Sequence, residues 1–340
     1  MRASFPFTVN LAALTRDSHW SAPNVRIHRA LCAVLCATSF AAVSLNSAHA
    51  QQMEPRSYSN SPIGLNFGIV GYQYSWGDVL VDPSLPIKNA NAKVDTVALG
   101  YGRVLDFWGE SGTLAAVLPY ARISASGQVE GQSQSVNRSG FGDLGLRVAV
   151  NLIGAPALSL EEFRNYRQDT IVGASFALTA PTGQYNNAKL VNVGTNRWSF
   201  KPEVGLSRRW GHWILDAYGG VWFFTRNPEF FSRNQYFPGT QDQTQQPIAA
   251  FETHLSYDVR PRLWVSLDAN FWRGGTTSLN GVENPATLQQ SSRVGVTASF
   301  PLTRHQSLKV AYADGAYIRY GGDYQIVAVA WQYSWIGKPN

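Results

Sequence analysis

The stretch FETHLSYDVRPRLWVSLDANF, residues 251–271, decides the fold class. Apolar and polar side chains alternate over residues 251–257 and again over 263–271, which is the period of a β-strand with two chemically different faces. Only five residues, 258–262, connect the two segments, and they include a proline. We therefore predict a tight antiparallel hairpin with one apolar face and one polar face.

Segments with the same period recur along the chain and are separated by Gly, Pro, Asn and Asp. Beyond residue 50, no stretch shows a helical period with capping residues. The pattern predicts twelve strands, approximately at residues 65–76, 93–105, 113–126, 140–151, 169–181, 197–209, 212–226, 247–258, 262–273, 291–300, 307–319 and 323–335.

The predicted connections differ in length at the two ends of the strands. Long polar connections occupy residues 77–92, 127–139, 182–196, 227–246 and 274–290, whereas most of those at the other end are short, residues 152–168 being the exception. An even number of antiparallel strands with this asymmetry is typical of an outer-membrane β-barrel. The alternative, a soluble β-sandwich, gives no reason for this difference in loop length. It would also concentrate aromatic residues in the middle of the strands, whereas here they lie near predicted strand ends.

Composition and the N-terminal region indicate export. The chain is 44% hydrophobic and only 15% charged, whereas about a quarter of residues are charged in an ordinary soluble domain. An apolar run at residues 30–45 follows basic residues at 26–29 and precedes Ala-His-Ala at 48–50, as in a signal peptide. Translation starts at Met1 or at Val25. Both cysteines fall in this region, and neither has the preceding residues of a lipid-anchored protein.

The predicted organisation is that of a single exported barrel. We expect a signal peptide over residues 1–50 that is cleaved after Ala50, a short periplasmic segment over 51–63, an all-β barrel domain over 64–335 and a C-terminal extension over 336–340. The expected partners are outer-membrane lipid and lipopolysaccharide, together with the barrel-insertion machinery during biogenesis. A net charge of +6 spread along the chain argues against nucleic acid, and a monomer is favoured.

Parity along the strands predicts which polar residues face the lumen, because the apolar face of a membrane barrel meets lipid. Two interpretations stand side by side: these side chains form structural ion pairs that fill the interior, or they line a permeation path. The predicted lumen residues are Arg147, Lys201, Glu203, Asp216, Glu252, His254 and Asp268.

Enzyme chemistry receives little support. His254 and Ser256 have the spacing of an outer-membrane phospholipase, but parity turns both inward, whereas such an enzyme presents its nucleophile to lipid. Asn270 is also displaced, because a turn centred near residue 260 sets His254 opposite about Ser266. The sequence beyond residue 50 lacks cysteine and has no His-x-x-x-His spacing, so we expect neither a metal nor a cofactor.

One region resembles a known family. The motifs are TAPTGQY at 179–185, LVNVGTNRW at 190–198 and KPEVG at 201–205, with GDL at 142–144 and GVWFFT at 220–225. They are similar to the outer-membrane transporters of the MetA-pathway of phenol degradation. The motif residues are Pro181, Gly183, Tyr185, Asn192, Gly194, Asn196, Arg197, Trp198, Pro202 and Glu203.

The resemblance implies an outer-membrane barrel associated with aromatic degradation, for which a transport role is inferred. For the motif itself, the structural interpretation is that Pro181 and Gly183 turn the chain, Asn192 and Asn196 cap a folded loop, and Arg197 reaches a carboxylate. The functional interpretation is that the loop covers the mouth and selects small, partly apolar solutes.

Three functions follow, in order of preference. The first is a channel for the passive uptake of small hydrophobic or aromatic compounds. The second is a non-conducting structural or adhesive barrel, and the third is a phospholipase-like enzyme. Twelve strands lie between the eight of a filled barrel and the sixteen of an open porin, which favours a narrow route over a wide pore.

Overall fold

The computed structural model describes residues 53–81, 87–129, 131–234 and 237–337, and the predicted signal peptide lies outside these ranges. Sixteen β-strands are present in the described residues, together with a single helical turn at Leu160–Phe163 and a 3-10 turn at Pro285–Thr287. The strands are β1 Leu65–Leu80, β2 Ile87–Phe107, β3 Glu110–Val129, β4 Gln132–Phe141, β5 Leu144–Ile153, β6 Thr170–Ala180, β7 Ser199–Trp210, β8 Trp213–Phe224, β9 Gln243–Gln245, β10 Ile248–Arg260, β11 Leu263–Gly274, β12 Thr277–Leu279, β13 Val282–Asn284, β14 Gln289–Pro301, β15 Gln306–Ile318 and β16 Gly321–Ile336.

The long strands close into an antiparallel barrel. Each pairs with its neighbours in chain order, and β1 pairs with β16 from Leu65↔Ile336 to Leu80↔Gly321. Strands β4 and β5 both pair with the same edge of β3, so they act as one strand interrupted at residues 142–143. The short strands β9, β12 and β13 form a separate sheet in the loops. The barrel therefore has twelve spans, which confirms the predicted fold.

Burial in this barrel is the inverse of that in a soluble protein. On β10, His254 and Ser256 are fully buried while Phe251 is 50% exposed. On β11, Leu267 is 63% exposed and its neighbour Asp268 is 5% exposed. Apolar side chains thus cover the outside and polar side chains fill the inside, as lipid around the barrel requires. None of the helices in the described ranges has the length and apolar character needed to span a membrane.

Aromatic side chains gather near both ends of the spans. Tyr120 and Phe141 meet edge to face at 5.3 Å towards the long-loop end, and Trp213 and Tyr257 do so at 4.8 Å beside the short turns. Such girdles mark the two membrane interfaces, and in this class of barrel the short turns face the periplasm. The girdles and the loop lengths together define the orientation of the barrel in the membrane.

The predicted connection at 127–139 was wrong. Residues 132–141 form β4 and pair with β3 up to Val129↔Gln132, and the connection predicted at 77–92 shrinks in the same way because β1 and β2 extend into it. Strand β2 has 21 residues, about twice the ~9–11 that cross a bilayer. The extended parts rise beyond the lipid, where no apolar face is needed, so the alternating pattern used for prediction disappears.

The register of the β10–β11 hairpin also differs from prediction. His254 lies opposite Asp268 and not opposite Ser266. The connection narrows to residues 261–262, where Arg262 takes a positive φ of 67°, and a register shift follows Asp258. A turn of two residues centred beyond residue 261 moves every cross-strand pair along by two positions.

Candidate functional site

A continuous belt of charged side chains crosses the inner wall. Lys201 on β7 lies between two carboxylates, with Nζ at 2.6 Å from Glu203 Oε2 and 3.0 Å from Glu252 Oε1. Arg147 on β5 extends the belt to one side, 3.4 Å from Glu203 Oε1, and its guanidinium also donates to Ser175 Oγ at 3.1 Å. Lys201, Glu203 and Glu252 are each no more than 9% exposed. These three residues are therefore packed against other protein atoms, whereas the Arg147 side chain is 31% exposed.

The other side of the belt is centred on a buried histidine. His254 Nδ1 lies 2.8 Å from Asp268 Oδ1, and Nε2 lies 3.9 Å from Glu252 Oε2. Asp268 is fixed by two further donors, Ser266 Oγ at 2.7 Å and Thr297 Oγ1 at 2.6 Å. These bonds fill the acceptor positions of the carboxylate, so the arrangement joins β10, β11 and β14 into a rigid wall.

The seven predicted lumen residues all point inward, and six of them form the belt. Asp216, the seventh, lies opposite His254 on β8, and its Oδ2 accepts the Arg56 backbone N–H at 3.1 Å. Asn270 lies opposite Glu252 and not opposite His254, so the three residue types of a phospholipase site do not converge. Within the described ranges, no group of His, Cys, Asp and Glu side chains is arranged to hold a metal ion.

Sequence reasoning missed that the segment before β1 enters the barrel. Tyr58 is 1% exposed, and its hydroxyl donates to Glu203 Oε1 at 3.0 Å, while the Tyr218 ring packs edge to face at 5.2 Å. A Cβ atom on Gly173 or Gly205 would lie within 2.3 Å of the Tyr58 ring. Glycines at these two inward positions were the available signal, because they leave the space that the ring fills.

Arg56 anchors the same segment to the wall. Its Nη1 lies 2.8 Å from Asp258 Oδ1, and its guanidinium stacks over the Trp264 ring at 4.5 Å. Burial lowers the pKa of Arg56 while Asp258 opposes this effect. A further ion pair joins Glu54 to Lys309 on β15. We call residues 53–61 the N-terminal plug, because they occupy the lumen beside the charged belt.

The opposite wall has a different composition. The inward positions carry no charged side chain over residues 326–334 of β16, 67–79 of β1, 94–104 of β2 and 113–127 of β3, and most are small or apolar. Asp106 has the inward parity at the short-turn end of β2, opposite Ser111. Val117, which faces the lumen between Gly100 and Gly145, is 40% exposed. The lumen is therefore tightly packed along the charged belt and partly exposed along the middle of this wall, whereas Ala121 and Ile123, nearer the long loops, are buried against Val191 and Val193. The small and apolar positions of this uncharged wall include Phe67, Ile69, Gly71, Ala98, Gly100, Gly102, Ala115, Val117, Ala328 and Ala330.

The family-motif loop, residues 181–198, is organised around one carboxylate at the break between β4 and β5. Asp143 Oδ1 accepts the Gly183 N–H at 2.8 Å, and Oδ2 accepts the N–H and hydroxyl of Thr195 at 2.9 and 2.6 Å. Pro181 ends β6 just before this point. A Cβ atom on Gly194 would lie 2.7 Å from the Gly183 carbonyl carbon. Both glycines are required because two backbone segments cross in contact.

Asparagine side chains hold the rest of the loop. Asn192 accepts the Asn186 N–H at 2.8 Å and donates to the Lys189 carbonyl at 2.8 Å. Asn196, with a positive φ of 55°, donates to Asn227 Oδ1 at 2.8 Å. Asn227 lies in the next long loop, so the two loops are joined into one cap at the long-loop end.

Arg197 departs from the predicted contact with a carboxylate. Its guanidinium donates to Gln245 Oε1 and stacks over the Phe224 ring at 4.5 Å. Burial lowers its pKa to about 10, and Asp143 acts in the opposite direction. Asp143 is unavailable as a direct partner because backbone and hydroxyl donors occupy both its oxygens. The buried cation instead ties the motif loop to β9.

The remaining motif residues flank the cap. Tyr185 donates to the Glu229 carbonyl at 3.2 Å and accepts from Asn227 Nδ2 at 2.9 Å. Trp198 is 42% exposed, and Pro202 faces outward on β7 opposite Phe176. These contacts place the motif in a folded loop and at the lipid-facing surface, while Glu203 alone belongs to the charged belt.

Comparison with known proteins places this architecture. No protein with a curated description matches the sequence. The COG4313 outer membrane channel from Pseudomonas putida F1 is similar in structure, with a TM-score of 0.70 and 21% identity over 84% of this chain and all of that one. The transport unit of the autotransporter AIDA-I from Escherichia coli is less similar, with a TM-score of 0.48 and 10% identity over 89% of this chain and 99% of that one. The model of the family described as "Putative MetA-pathway of phenol degradation" matches residues 82–323, and the chain belongs to that family.

Proposed function

We propose that this barrel lies in the outer membrane and is a channel for the passive uptake of small hydrophobic or aromatic compounds. The observation that carries the proposal is the division of the lumen into a packed charged belt and an uncharged wall that is partly exposed in its middle. An apolar solute loses little solvation along small and aliphatic side chains, whereas an ion there would lose most of its hydration. The uncharged wall thus favours apolar solutes over ions.

Two comparisons support the proposal, the first its substrate class and the second its channel function. The family is described by phenol degradation, and the similar barrel from P. putida is an outer membrane channel. An aromatic compound crosses phospholipid readily but is retarded by a lipopolysaccharide leaflet. A channel for such solutes is therefore useful in the outer membrane. Its lumen must be wide enough for the solute and lined by apolar side chains.

The test is to narrow the uncharged wall. Gly71 faces the lumen on β1, and a Cβ atom there would meet only one atom within 4 Å, at 3.9 Å. Gly71→Leu should fold and should lower the uptake rate of a labelled monoaromatic compound into vesicles with a lipopolysaccharide outer leaflet. Gly68→Leu is the matched control, because Gly68 lies on the lipid face of the same strand with a similarly distant neighbour.

Three outcomes separate the alternatives. Lower uptake in Gly71→Leu but not in Gly68→Leu supports the route. Uptake no faster than in protein-free vesicles, with no conductance in planar bilayers, supports the second candidate, a non-conducting barrel filled by its N-terminal plug. Large ion conductance without aromatic uptake would contradict the proposed substrate class.

A further inference from the structure

A basic depression lies on the outer surface of β3 and β4, beyond the aromatic girdle at the long-loop end. It has a volume of about 270 Å³ and is lined by Arg122, Asn137, Arg138 and Ser139. Arg122 and Ser139 are cross-strand partners, and Asn137 Oδ1 accepts the Ser124 hydroxyl at 2.8 Å. The side chains of Arg122, Asn137 and Ser139 share the outer face, so the lining combines a guanidinium with amide and hydroxyl groups, and it includes no carboxylate.

Neither guanidinium is neutralised by an acid. Arg122 is exposed and forms no ion pair within the described part of the chain, although Asp95 is its cross-strand partner on β2. The Asp95 carboxylate instead accepts the Tyr72 hydroxyl at 2.7 Å on the far side. Arg138 donates to two backbone carbonyls, those of Val191 at 3.2 Å and Asn137 at 2.7 Å. Arg138 has the opposite parity to Arg122, because its cross-strand partner Ile123 is fully buried on the inner face. The Arg122 charge therefore remains available to an anion at the outer surface.

A third cation lies within reach of the same place. Lys93 on β2 is exposed and is paired with Ser124, so it is the diagonal neighbour of Arg122 across the β2–β3 ladder. Diagonal neighbours in an antiparallel sheet are about 7–8 Å apart at Cα, which long side chains bridge easily. Lys93 and Arg122 are thus able to contact one anionic group.

The depth of the depression identifies the kind of anion. Arg122 follows Tyr120 by two residues, and Tyr120 belongs to the aromatic girdle through its contact with Phe141. Two residues advance a strand by roughly 7 Å, and the tilt of a membrane barrel reduces this to about 5 Å along the membrane normal. The guanidinium therefore stands just beyond the acyl region, where lipid phosphates lie.

The surface further out has the chemistry of a sugar-binding face. Small hydroxyl and amide side chains cover it, and they bond to one another across the strands, as Ser126 Oγ does with Asn91 Oδ1 at 3.0 Å. Phosphate is bound well by arginine because the guanidinium offers parallel donors. An anion with sugar hydroxyls beside it matches both parts of the surface.

We propose that this depression binds the phosphate of a phosphorylated saccharolipid in the outer leaflet, the chemistry of lipopolysaccharide. Arg122 and Lys93 contact the phosphate, and Asn137 and Ser139 contact the adjoining sugar hydroxyls. The site lies on the lipid-facing side and is independent of the solute route inside the barrel.

Native mass spectrometry of the folded protein in detergent tests the proposal, with bisphosphorylated lipid A as the probe. The variants are Arg122→Gln, the double variant Lys93→Gln/Arg122→Gln, and Arg273→Gln as a control. Arg273 is exposed on the outer face of β11 at the same end of the barrel. Arg122→Gln should weaken lipid A binding by about tenfold, because each charge-assisted contact to phosphate is lost, while Arg273→Gln should leave it unchanged.

Several results would overturn the site. An equal loss in Arg122→Gln and Arg273→Gln would show general electrostatic attraction, and lipid A freed of both phosphates that binds as tightly as the parent lipid would remove the phosphate contact. Displacement of the lipid by millimolar inorganic phosphate would identify a free-anion site. Because Arg122 makes no contact that supports the fold, retention of the compact form on unheated gels is expected for this variant and separates binding from misfolding.

Discussion

Replacing Tyr58 with alanine tests whether the N-terminal plug closes the polar half of the lumen to ions. The ring fills the space above Gly173 and Gly205, and the Arg147 guanidinium lies 5.3 Å from its centroid. Burial raises the pKa of the Tyr58 phenol, so the hydroxyl stays protonated and donates to Glu203. Tyr58→Ala removes the ring contacts and this hydrogen bond together, while Glu203 keeps its ion pairs with Lys201 and Arg147.

The size of the effect follows from burial. Truncating a buried aromatic side chain to alanine costs about 3–5 kcal/mol. If this free energy is lost from the docking of the plug, the ratio of displaced to docked plug rises by roughly 10²–10³, because each 1.4 kcal/mol changes an equilibrium constant about tenfold. Tyr58→Phe keeps the ring and loses one hydrogen bond to a charged group, worth about 1.5–3 kcal/mol. The two variants should therefore form a graded series.

Single-channel recording in planar bilayers measures the series. Wild type should show rare openings, Tyr58→Phe more frequent ones, and Tyr58→Ala frequent openings of larger conductance. Arg56 retains its ion pair with Asp258, so the plug stays tethered and the openings should be transient. Identical records for wild type and Tyr58→Ala, with both proteins folded, would refute the assignment of this segment as the barrier.

Two further predictions concern the rigidity of the wall and of the cap. Asp268→Ala removes the carboxylate that is bonded to His254 Nδ1, and the loss of one member of a buried pair costs about 3–5 kcal/mol. The barrel should therefore unfold at a lower temperature on semi-native gels. An unchanged unfolding temperature would contradict the structural role of the belt. Gly194→Ala brings a Cβ to 2.7 Å from backbone, so protease should cleave the loop at 181–198 faster. Gly219→Ala is the control, because a Cβ there meets no atom within 4 Å, and equal cleavage in both variants would show that the close crossing is unimportant.

The barrel was predictable because the bilayer imposes a binary pattern on every span. Alternation over residues 251–271 was sufficient to identify a hairpin with a lipid face, and the inward positions of Lys201 and Glu252 followed from parity. The same logic failed at β4, since residues 132–139 lie beyond the lipid and carry polar side chains on both faces. The alternating pattern is therefore confined to the residues that cross the lipid.

The plug and the cap depend on contacts that are remote in the sequence. Tyr58 meets Glu203 across 145 residues, and Thr195 meets Asp143 across 52. Neither contact produces a periodic pattern in the local sequence. The plug segment also has no regular secondary structure that such a pattern could reveal. The inward glycines 173 and 205 indicated only that space was reserved, without saying which side chain fills it.

The grouping of charge on one side of the lumen explains why the other side is uncharged. A barrel of twelve strands is too wide for its own side chains to fill completely, and a lumen lined evenly by charge would hold water and pass ions. Here the charges are collected on one side, where they are paired with one another and with the plug through Asp216, Glu203 and Asp258. This arrangement fills the polar half of the cross-section and leaves the half lined by residues such as Ile69 and Val117 partly exposed. The belt therefore contributes to the proposed selectivity without touching the solute, by holding in place the segment that excludes water and ions.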